Sequence, residues 1–297
     1  MALVNAQPSS LEDTYWVYLT DKQFSEYNLN APQEFLSAKA IERKVRLGIK
    51  INQTDLPVSG YYVEILKSLG VEIITQSRWL NAVSISVKKP EVLQQMEQLP
   101  FVASIQPVRK YKAFKEDRVS PPGDFRLHLN TDLSNYGLAG NQFGMIEGPY
   151  LHDKGYTGEG MTIAVFDAGF TGVDTGAGFH SVWNKGQIAG MWNFADNNDS
   201  VFLSSYHGTW VLSIMAGDIP GTYVGAAPDA EYYLFRTEVA DSEYIAEEHF
   251  WLAAAEQADF LGVDIINSSL SYTTFDVSEN DHTYADLDGN TTLITQA

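Results

Sequence analysis

The sequence contains no cysteine among its 297 residues. This absence excludes disulfide bonds, zinc sites built on thiolates and a cysteine nucleophile. No apolar run approaches the roughly 18 residues that a membrane-spanning helix needs. Basic side chains are also scarce, because 19 Lys and Arg stand against 38 Asp and Glu, for a formal net charge of −19. A chain this acidic is not expected to bind nucleic acid, which requires a basic surface.

The apolar content is sufficient for sizeable cores, since 44% of the residues are hydrophobic and 12% are aromatic. The length corresponds to two domains of ordinary size. Charge is distributed unevenly along the chain. Residues 1–118 contain 15 Lys and Arg against 13 Asp and Glu, whereas residues 119–297 contain four against 25, together with all six histidines. So sharp a change in composition predicts a domain boundary near residue 118.

The N-terminal part has alternating strand and helix patterns. Aromatic and β-branched residues predict strands over residues 14–20, 71–76, 80–87 and 101–108. Apolar residues at helical spacing predict helices over residues 35–49, 58–69 and 90–99. With the helix over residues 35–49 set aside, the order is strand–helix–strand–strand–helix–strand. This order defines the ferredoxin-like split βαβ unit.

A change of pattern separates the two parts of the chain. Residues 109–135 have little periodicity, several basic side chains and a Pro-Pro-Gly sequence, which predicts an exposed linker that proteases can cut. Beyond this linker, strands alternate with helices, which is typical of a parallel α/β sheet. The predicted strands cover residues 161–166, 232–236 and 263–267, and the predicted helices cover residues 209–216 and 244–260.

Two residues of the second part have the chemistry of a proton-transfer pair. Asp167 directly follows the buried strand over residues 161–166, and polar residues at such strand ends build the sites of parallel sheets. His207 begins an apolar helix forty residues later. A carboxylate that orients an imidazole is the first half of a triad that activates a nucleophile. From these residues alone, a strand-end aspartate such as Asp167 is more often a helix cap or turn former, and His207 can be a packed surface residue.

Three segments resemble the subtilisin-like (S8) serine peptidases, and they occur in the family's order. Residues 155–169, which read GYTGEGMTIAVFDAG, resemble the aspartate motif. His207-Gly208-Thr209, with GAAPDA at residues 225–230, resembles the histidine motif. Residues 263–271, which read VDIINSSLS, resemble the strand whose backbone pairs with substrate. Residues 1–112 resemble the inhibitory propeptide of the same family. Residues 141–160 and 167–170 resemble the secreted subtilases of Bacteroidetes-type bacteria.

The resemblance implies a fold and a division of the chain. The expected fold is an N-terminal ferredoxin-like α+β prodomain followed by an incomplete subtilisin-like parallel α/β sheet domain. The expected segments are an N-terminal tail over residues 1–12, an inhibitor I9-like propeptide over 13–112, a linker with the maturation cleavage over 113–140, and a truncated catalytic domain over 141–297. The chain is expected to be the zymogen of a secreted bacterial serine endopeptidase.

The resemblance also implies residue roles. Asp167 would orient His207, and His207 would act as general base and then as general acid. Ser269, Leu270 and Ser271 would pair with the substrate backbone. The expected partners are protein or peptide substrates, a missing C-terminal half of the catalytic domain, and the chain's own prodomain, with residues 107–115 in the active-site cleft. Neither nucleic acid nor a membrane is expected.

The sequence departs from the family pattern at several positions. Ala168, Trp210 and Ser271 stand where Ser or Thr, a second His, and Gly are usual. No Gly-Thr-Ser-Met-Ala-like segment occurs before Ala297, and neither does the asparagine of the oxyanion hole. This chain alone is therefore expected to be inactive. The alternative is a non-catalytic binding protein that inhibits a subtilase or assists its folding.

Three further segments have more than one interpretation. Gly169, Gly172 and Gly176 follow a strand, as in a dinucleotide-binding loop, but their spacing differs from G-x-G-x-x-G. The acidic segments 196–199 and 286–290 are interpreted first as turns and second as calcium sites, so no cofactor is certain and no metal ligand is assigned. Ser268 and Ser269 are hydroxyl nucleophiles in principle, but the substrate-pairing role is favoured for this segment.

Overall fold

The computed structural model describes residues 14–108, 133–240, 243–276 and 278–297. The linker predicted around residues 109–132, with its basic side chains, lies outside the described residues. Ten strands are present in the described ranges: β1 Thr14–Leu19, β2 Glu72–Ser77, β3 Ala82–Ser86, β4 Val102–Pro107, β5 Thr162–Asp167, β6 Ile188–Asn193, β7 Asp218–Ile219, β8 Tyr223–Val224, β9 Glu231–Arg236 and β10 Ile265–Ser268.

The same ranges contain nine α-helices and several short 3₁₀ turns. The helices are α1 Ala38–Leu47, α2 Gly60–Ser68, α3 Glu91–Glu97, α4 Gly140–Met145, α5 Gly148–Asp153, α6 His180–Asn184, α7 His207–Ala216, α8 Ala246–Leu261 and α9 Leu293–Gln296. Within the described part of the chain, no helix is long and apolar enough to cross a membrane.

The chain forms two compact units that do not follow chain order. The first unit contains the described residues up to 108 together with Glu243–Gly262 and Ser271–Ala297. The second unit contains the described residues from 133 to 240 and Val263–Leu270. Helix α8 therefore belongs to the same compact unit as the N-terminal domain, although it lies far beyond the linker in sequence.

The first unit contains the predicted ferredoxin-like sheet. Its four strands lie in the order β2-β3-β1-β4, and all three neighbouring pairs are antiparallel. Alternate residues of these strands face one core, where Val17 and Ile85 pack with Leu66 of α2 and Met96 of α3. The split βαβ prediction is therefore confirmed, because the period-2 pattern of the strands and the apolar faces of the two helices meet in one core.

Helix α1 lies outside the ferredoxin order, and its ends follow local rules. The Ser37 hydroxyl accepts a hydrogen bond from the Ala40 N–H at 3.0 Å, which caps the first turn. Gly48 ends the helix in the left-handed conformation, at φ 68°. The helix predicted over residues 35–49 is thus shorter than its apolar pattern, because a cap on each side sets its limits.

Helix α8 packs in the first unit through a cluster of charged side chains. The Glu256 carboxylate accepts hydrogen bonds from the backbone N–H groups of Arg78, at 2.9 Å, and of Trp79, at 3.3 Å. Asp259 forms ion pairs with Arg43 and with Arg78, and the Arg78 pair measures 2.6 Å. These four charged side chains are at most 14% exposed, so their charges are largely desolvated and require one another.

The second unit is built on a parallel sheet in the order β10-β5-β9-β6. All six residues of β5 are buried, as expected for a central strand covered on both faces. Leu212 of α7 packs in the same core as Val165 of β5 and Leu234 of β9. The parallel α/β prediction for this part is confirmed.

Strand β6 was not predicted from the sequence. Its residues include Gly190 and Asn193, and most of its side chains are only partly buried, so it has neither a continuous apolar run nor a clean alternation. Its pairing with β9 shifts register between Ile188 and Gly190, which marks a bulge. Glycine at a bulge removes the pattern on which strand prediction depends.

Candidate active site

Asp167 lies at the carboxyl end of β5, in register with Arg236 at the end of β9. Its side chain is fully buried. The backbone around it is held by two hydrogen bonds. The Ala168 N–H donates to Oδ1 of Asp167 at 2.8 Å, and the Thr237 N–H donates to the Asp167 carbonyl at 3.0 Å. The carboxylate is thereby fixed by its own strand and by the neighbouring one.

His207 is the first residue of α7, and its imidazole meets Asp167. Its Nδ1 lies 2.9 Å from both carboxylate oxygens of Asp167. Because an ionised carboxylate only accepts, Nδ1 carries the proton and donates it, which leaves Nε2 as the basic nitrogen of the neutral ring. The side chain is 45% exposed, so it combines a buried orienting partner with access to solvent.

Two glycines allow α7 to approach β5 this closely. The Gly208 N–H donates to the Gly169 carbonyl at 3.1 Å. A Cβ at position 208 would lie 2.5 Å from that carbonyl oxygen and 2.9 Å from Cβ of Asp167. Gly169 has φ 154°, and a Cβ there would lie 2.1 Å from the Leu203 carbonyl oxygen. Any side chain at either position would push His207 away from Asp167.

The pKa of Asp167 is set by opposing effects. Burial raises it, and the hydrogen bond and charge of His207 lower it, as do the N–H groups of Ala168 and Gly208. Burial has the largest effect, so the pKa of Asp167 lies above its usual value. Such a pair can accept a proton on Nε2 and hold it, which is the step that a nucleophilic catalyst requires.

Arg236 completes the surroundings of Asp167 and was missed in the sequence. Its side chain is buried, its Nε donates to the Ala168 carbonyl at 3.1 Å, and one terminal nitrogen donates to Asn193 and to Asp196. It is one of the four basic residues after position 118 and ends an apolar strand, EYYLFR. A single basic residue at the end of an apolar strand was the signal by which the sequence could have identified Arg236.

The predicted substrate-pairing residues follow β10. This strand pairs in parallel with β5, with Ser268 opposite Phe166, so Ser269 and Leu270 come just after the same edge at which Asp167 lies. Ser269 is exposed, and its hydroxyl donates to Asn267 Oδ1 at 3.3 Å. Ser271 falls in the first compact unit. Their role in substrate binding stays a prediction.

The glycine-rich loop after β5 and the two acidic segments are occupied by contacts within the protein. The backbone of Leu203 and Ser205 lies against Gly169. Asp196 is held by Arg236. Asp288 forms a turn with Thr291, whose hydroxyl and N–H bond its carboxylate. Within the described ranges, no group of three or more His, Asp or Glu side chains is placed to hold a metal ion.

Comparisons with known proteins agree with this geometry. Residues 14–120 match the family model of the peptidase S8 propeptide domain of Bacteroidota. Subtilisin E of Bacillus subtilis is 24% identical over 247 residues, which are 82% of this chain and 56% of that protein. Residues 14–120 therefore form a peptidase S8 propeptide domain, and the chain as a whole is similar to subtilisins. The chain spans about half the length of the curated relatives that it matches.

Solved structures support the fold of this chain. Fervidolysin from Fervidobacterium pennivorans, a keratinolytic enzyme related to subtilisin, matches with a TM-score of 0.53 at 16% identity, over 92% of this chain and 36% of that one. The epidermin leader peptide processing serine protease of Staphylococcus aureus matches with a TM-score of 0.51 at 14% identity, over 86% of this chain and 49% of that one.

Proposed function

We propose that the chain is the propeptide and proton-transfer part of a serine endopeptidase zymogen, in which Asp167 and His207 serve a serine nucleophile. The observation that carries this proposal is the hydrogen bond from Nδ1 of His207 to both oxygens of buried Asp167, at the carboxyl ends of parallel strands. This arrangement leaves Nε2 to accept the proton of an attacking hydroxyl.

The proposed reaction forms and then hydrolyses an acyl-enzyme. The serine oxygen bonds to the scissile carbonyl carbon while Nε2 of His207 takes its proton, and His207 then gives that proton to the leaving amine. Water then attacks the acyl-enzyme ester in the same way: Nε2 of His207 takes a proton from the water and returns it to the serine oxygen as the acid product leaves. Asp167 stays ionised and stabilises the imidazolium. The serine and the oxyanion-hole asparagine are proposed to come from sequence outside residues 1–297.

The substrate and the prodomain, which acts as inhibitor, are proposed to bind to the same segment of the chain. Ser269–Ser271 would extend β10 as an edge to which an extended peptide adds as a strand. The prodomain tail, residues 107–115, would occupy this edge before maturation, and most of that tail lies outside the described residues. The charge contrast supports the pairing, because residues 1–118 are slightly basic and residues 119–297 are strongly acidic. Secretion is proposed with this zymogen role.

One experiment tests the proton-transfer pair directly. In the 297-residue chain with ¹⁵N-labelled histidine, NMR should show His207 protonated on Nδ1 when neutral, with an Nδ1–H that exchanges slowly with solvent. In the Asp167→Asn variant this proton should exchange faster, because the ionised acceptor of its hydrogen bond is lost. An Nε2-protonated His207, or an unchanged exchange rate in Asp167→Asn, would contradict the proposal.

A second experiment separates the protease from a binding protein. Residues 1–297 alone should not detectably hydrolyse casein. Removal of the triad serine abolishes most of the catalytic rate and leaves a residual acceleration on the order of only 10³–10⁴ over the reaction in water. The full-length protein, after maturation, should react with a fluorophosphonate on one serine, and His207→Ala should abolish that labelling. Absence of labelling, with binding to a second subtilase, would favour the inhibitor or chaperone role.

A further inference from the structure

Arg236 is placed to act on the Asp167 carboxylate through the backbone of one residue, Ala168. It is the last residue of β9, it is 4% exposed, and it lies opposite Asp167 in the sheet register. Its Nε donates to the Ala168 carbonyl at 3.1 Å. The N–H of that same residue, Ala168, donates to Oδ1 of Asp167 at 2.8 Å. The residue after the carboxylate is therefore held at its carbonyl by Arg236 while its N–H holds the carboxylate.

The end of β9 restrains the end of β5 at two points. The residue after Arg236, Thr237, donates its N–H to the Asp167 carbonyl at 3.0 Å. Arg236 bonds the next carbonyl along the chain, that of Ala168. Two consecutive carbonyls at the end of one strand are thus bound by two consecutive residues of the neighbouring strand. This fixes the direction in which the chain leaves β5, and with it the rotation of the Asp167 side chain.

The other contacts of Arg236 hold the guanidinium in place. One terminal nitrogen donates to Oδ1 of Asn193, at 3.2 Å, and to Oδ2 of Asp196. The Phe194 N–H donates to the Arg236 carbonyl at 2.8 Å. A buried guanidinium contributes little net stability compared with an apolar side chain of the same size. An apolar side chain, however, cannot donate a hydrogen bond to the Ala168 carbonyl.

We propose that Arg236 is a positioning residue of the proton-transfer pair: it orients the Asp167 carboxylate toward His207 by fixing the backbone of Ala168. This inference rests on the proposed function, because it concerns the pair to which that function assigns proton transfer. Arg236 does not touch the reacting atoms. Its effect on His207 passes through the hydrogen bonds of Ala168 and Asp167.

The charge-retaining variant separates positioning from simple charge. The readout is the rate at which the His207 Nδ1–H exchanges with solvent, measured by NMR on the 297-residue chain with ¹⁵N-labelled histidine. If Arg236 acted only as a nearby cation, Arg236→Lys would leave this rate unchanged. If Arg236 orients Asp167, Arg236→Met and Arg236→Lys should both increase the rate, by about threefold or more, because the hydrogen bond from Nδ1 to the carboxylate weakens.

Arg236→Lys keeps the charge in the buried position but loses the planar fork that reaches Ala168 and Asp196 together. It also keeps the test valid if Arg236→Met does not fold. Lys185→Met is the matched control, because it removes a partly exposed cation of the same unit that pairs with Asp229 and Asp218. It should leave the exchange rate of the His207 Nδ1–H unchanged.

The outcomes are distinct. An unchanged exchange rate of the His207 Nδ1–H in folded Arg236→Met, or in Arg236→Lys, overturns the positioning role. Asp167→Asn serves as calibration, because an exchange rate that does not respond to it refutes the proton-transfer pair itself. A response to Asp167→Asn without a response to either Arg236 variant therefore refutes only the positioning role.

Discussion

At the scale of single residues, the described part of the chain contains two carboxylate–imidazole hydrogen bonds. Asp167 and His207 form one pair, and Glu248 and His282 form another, with Nε2 of His282 2.6 Å from Oε1 of Glu248. His207 is 45% exposed and begins a helix, whereas His282 is 15% exposed within the first unit. The imidazole of His207 is therefore accessible to solvent, and the imidazole of His282 joins its own segment to α8.

Gly208 illustrates how a residue without a side chain determines the site. Gly208→Ala places a methyl carbon within 2.5 Å of the Gly169 carbonyl oxygen, so either α7 or the loop must shift. We expect a loss of about 1–3 kcal/mol in unfolding free energy, typical of overpacking. The His207 Nδ1–H resonance should also exchange with solvent faster. Urea unfolding and NMR measure both effects.

The control for this substitution is Gly178→Ala, because a Cβ at position 178 meets nothing within 4 Å. Its effect on stability should stay within about 0.5 kcal/mol. Equal losses for the two variants would show that the glycines matter only for backbone freedom and not for the approach of α7 to Asp167.

His249 makes stability depend on pH. Its ring stacks on Trp16, with centroids 5.5 Å apart and planes 12° apart, and burial lowers its pKa to about 4. The unfolded chain binds a proton near pH 6.5 and the folded chain does not. Stability is therefore full above pH 6.5 and falls as the pH drops toward 4, by up to about 3 kcal/mol.

The His249→Phe variant should lose this dependence while it retains a ring against Trp16. Urea unfolding at pH 7.5, 6, 5 and 4 tests this, because it gives the difference in unfolding free energy between variant and parent at each pH. His180→Gln, which changes an exposed histidine, is the control and should follow the parent curve. If His249→Phe also follows the parent curve between pH 6.5 and 4, other groups cause the dependence.

At the scale of elements, α1 and α8 are joined by ion pairs between largely buried charged side chains. Asp259 of α8 pairs with Arg43 of α1 and with Arg78, and it lies 3.7 Å from Lys44. Asp259→Ala leaves these cations in a buried position without their shared partner. We expect a cost of about 3–5 kcal/mol in unfolding free energy, as for other broken buried pairs.

The comparison for Asp259→Ala is Glu64→Ala, which removes an exposed partner of Lys67 on α2. Exposed pairs contribute little, so this variant should be close to the parent in urea unfolding. A small effect of Asp259→Ala, comparable to that of Glu64→Ala, would mean that water reaches the cluster and replaces the lost carboxylate.

Elements with a strong local pattern were predictable, and contacts between distant residues were not. Strand β5 was found because its residues are continuously apolar, and Asp167 was found because it follows them. Strand β6 was missed because Gly190 interrupts its pattern. Arg236 was missed, and the packing role of Gly208 was not predicted, because these roles depend on Ala168 and Asp167, which lie about 70 and 40 residues away in sequence. No local pattern encodes such a pairing.

At the scale of the whole molecule, the N-terminal domain is attached to the rest of the chain by more than the linker. Helix α8 follows the linker in sequence yet packs in the same compact unit as β1–β4. The contacts include Glu256 on the backbone N–H of Arg78 and the ion pairs of Asp259. The first unit is therefore assembled from segments on both sides of residues 109–132.

This arrangement predicts that cleavage of the linker leaves both fragments bound to each other. With a site-specific protease sequence placed within residues 109–132, the cut protein should elute from gel filtration as one species at 0.15 M salt.

The buried contacts of Glu256 and Asp259 are weakly screened by salt, whereas the attraction between the basic and acidic parts of the chain is strongly screened. High salt should therefore slow reassociation of the fragments more than it speeds their separation. Asp259→Ala should instead speed separation, and Glu64→Ala should not. Immediate separation of the cut parent protein at 0.15 M salt would mean that the linker, and not α8, holds the N-terminal domain.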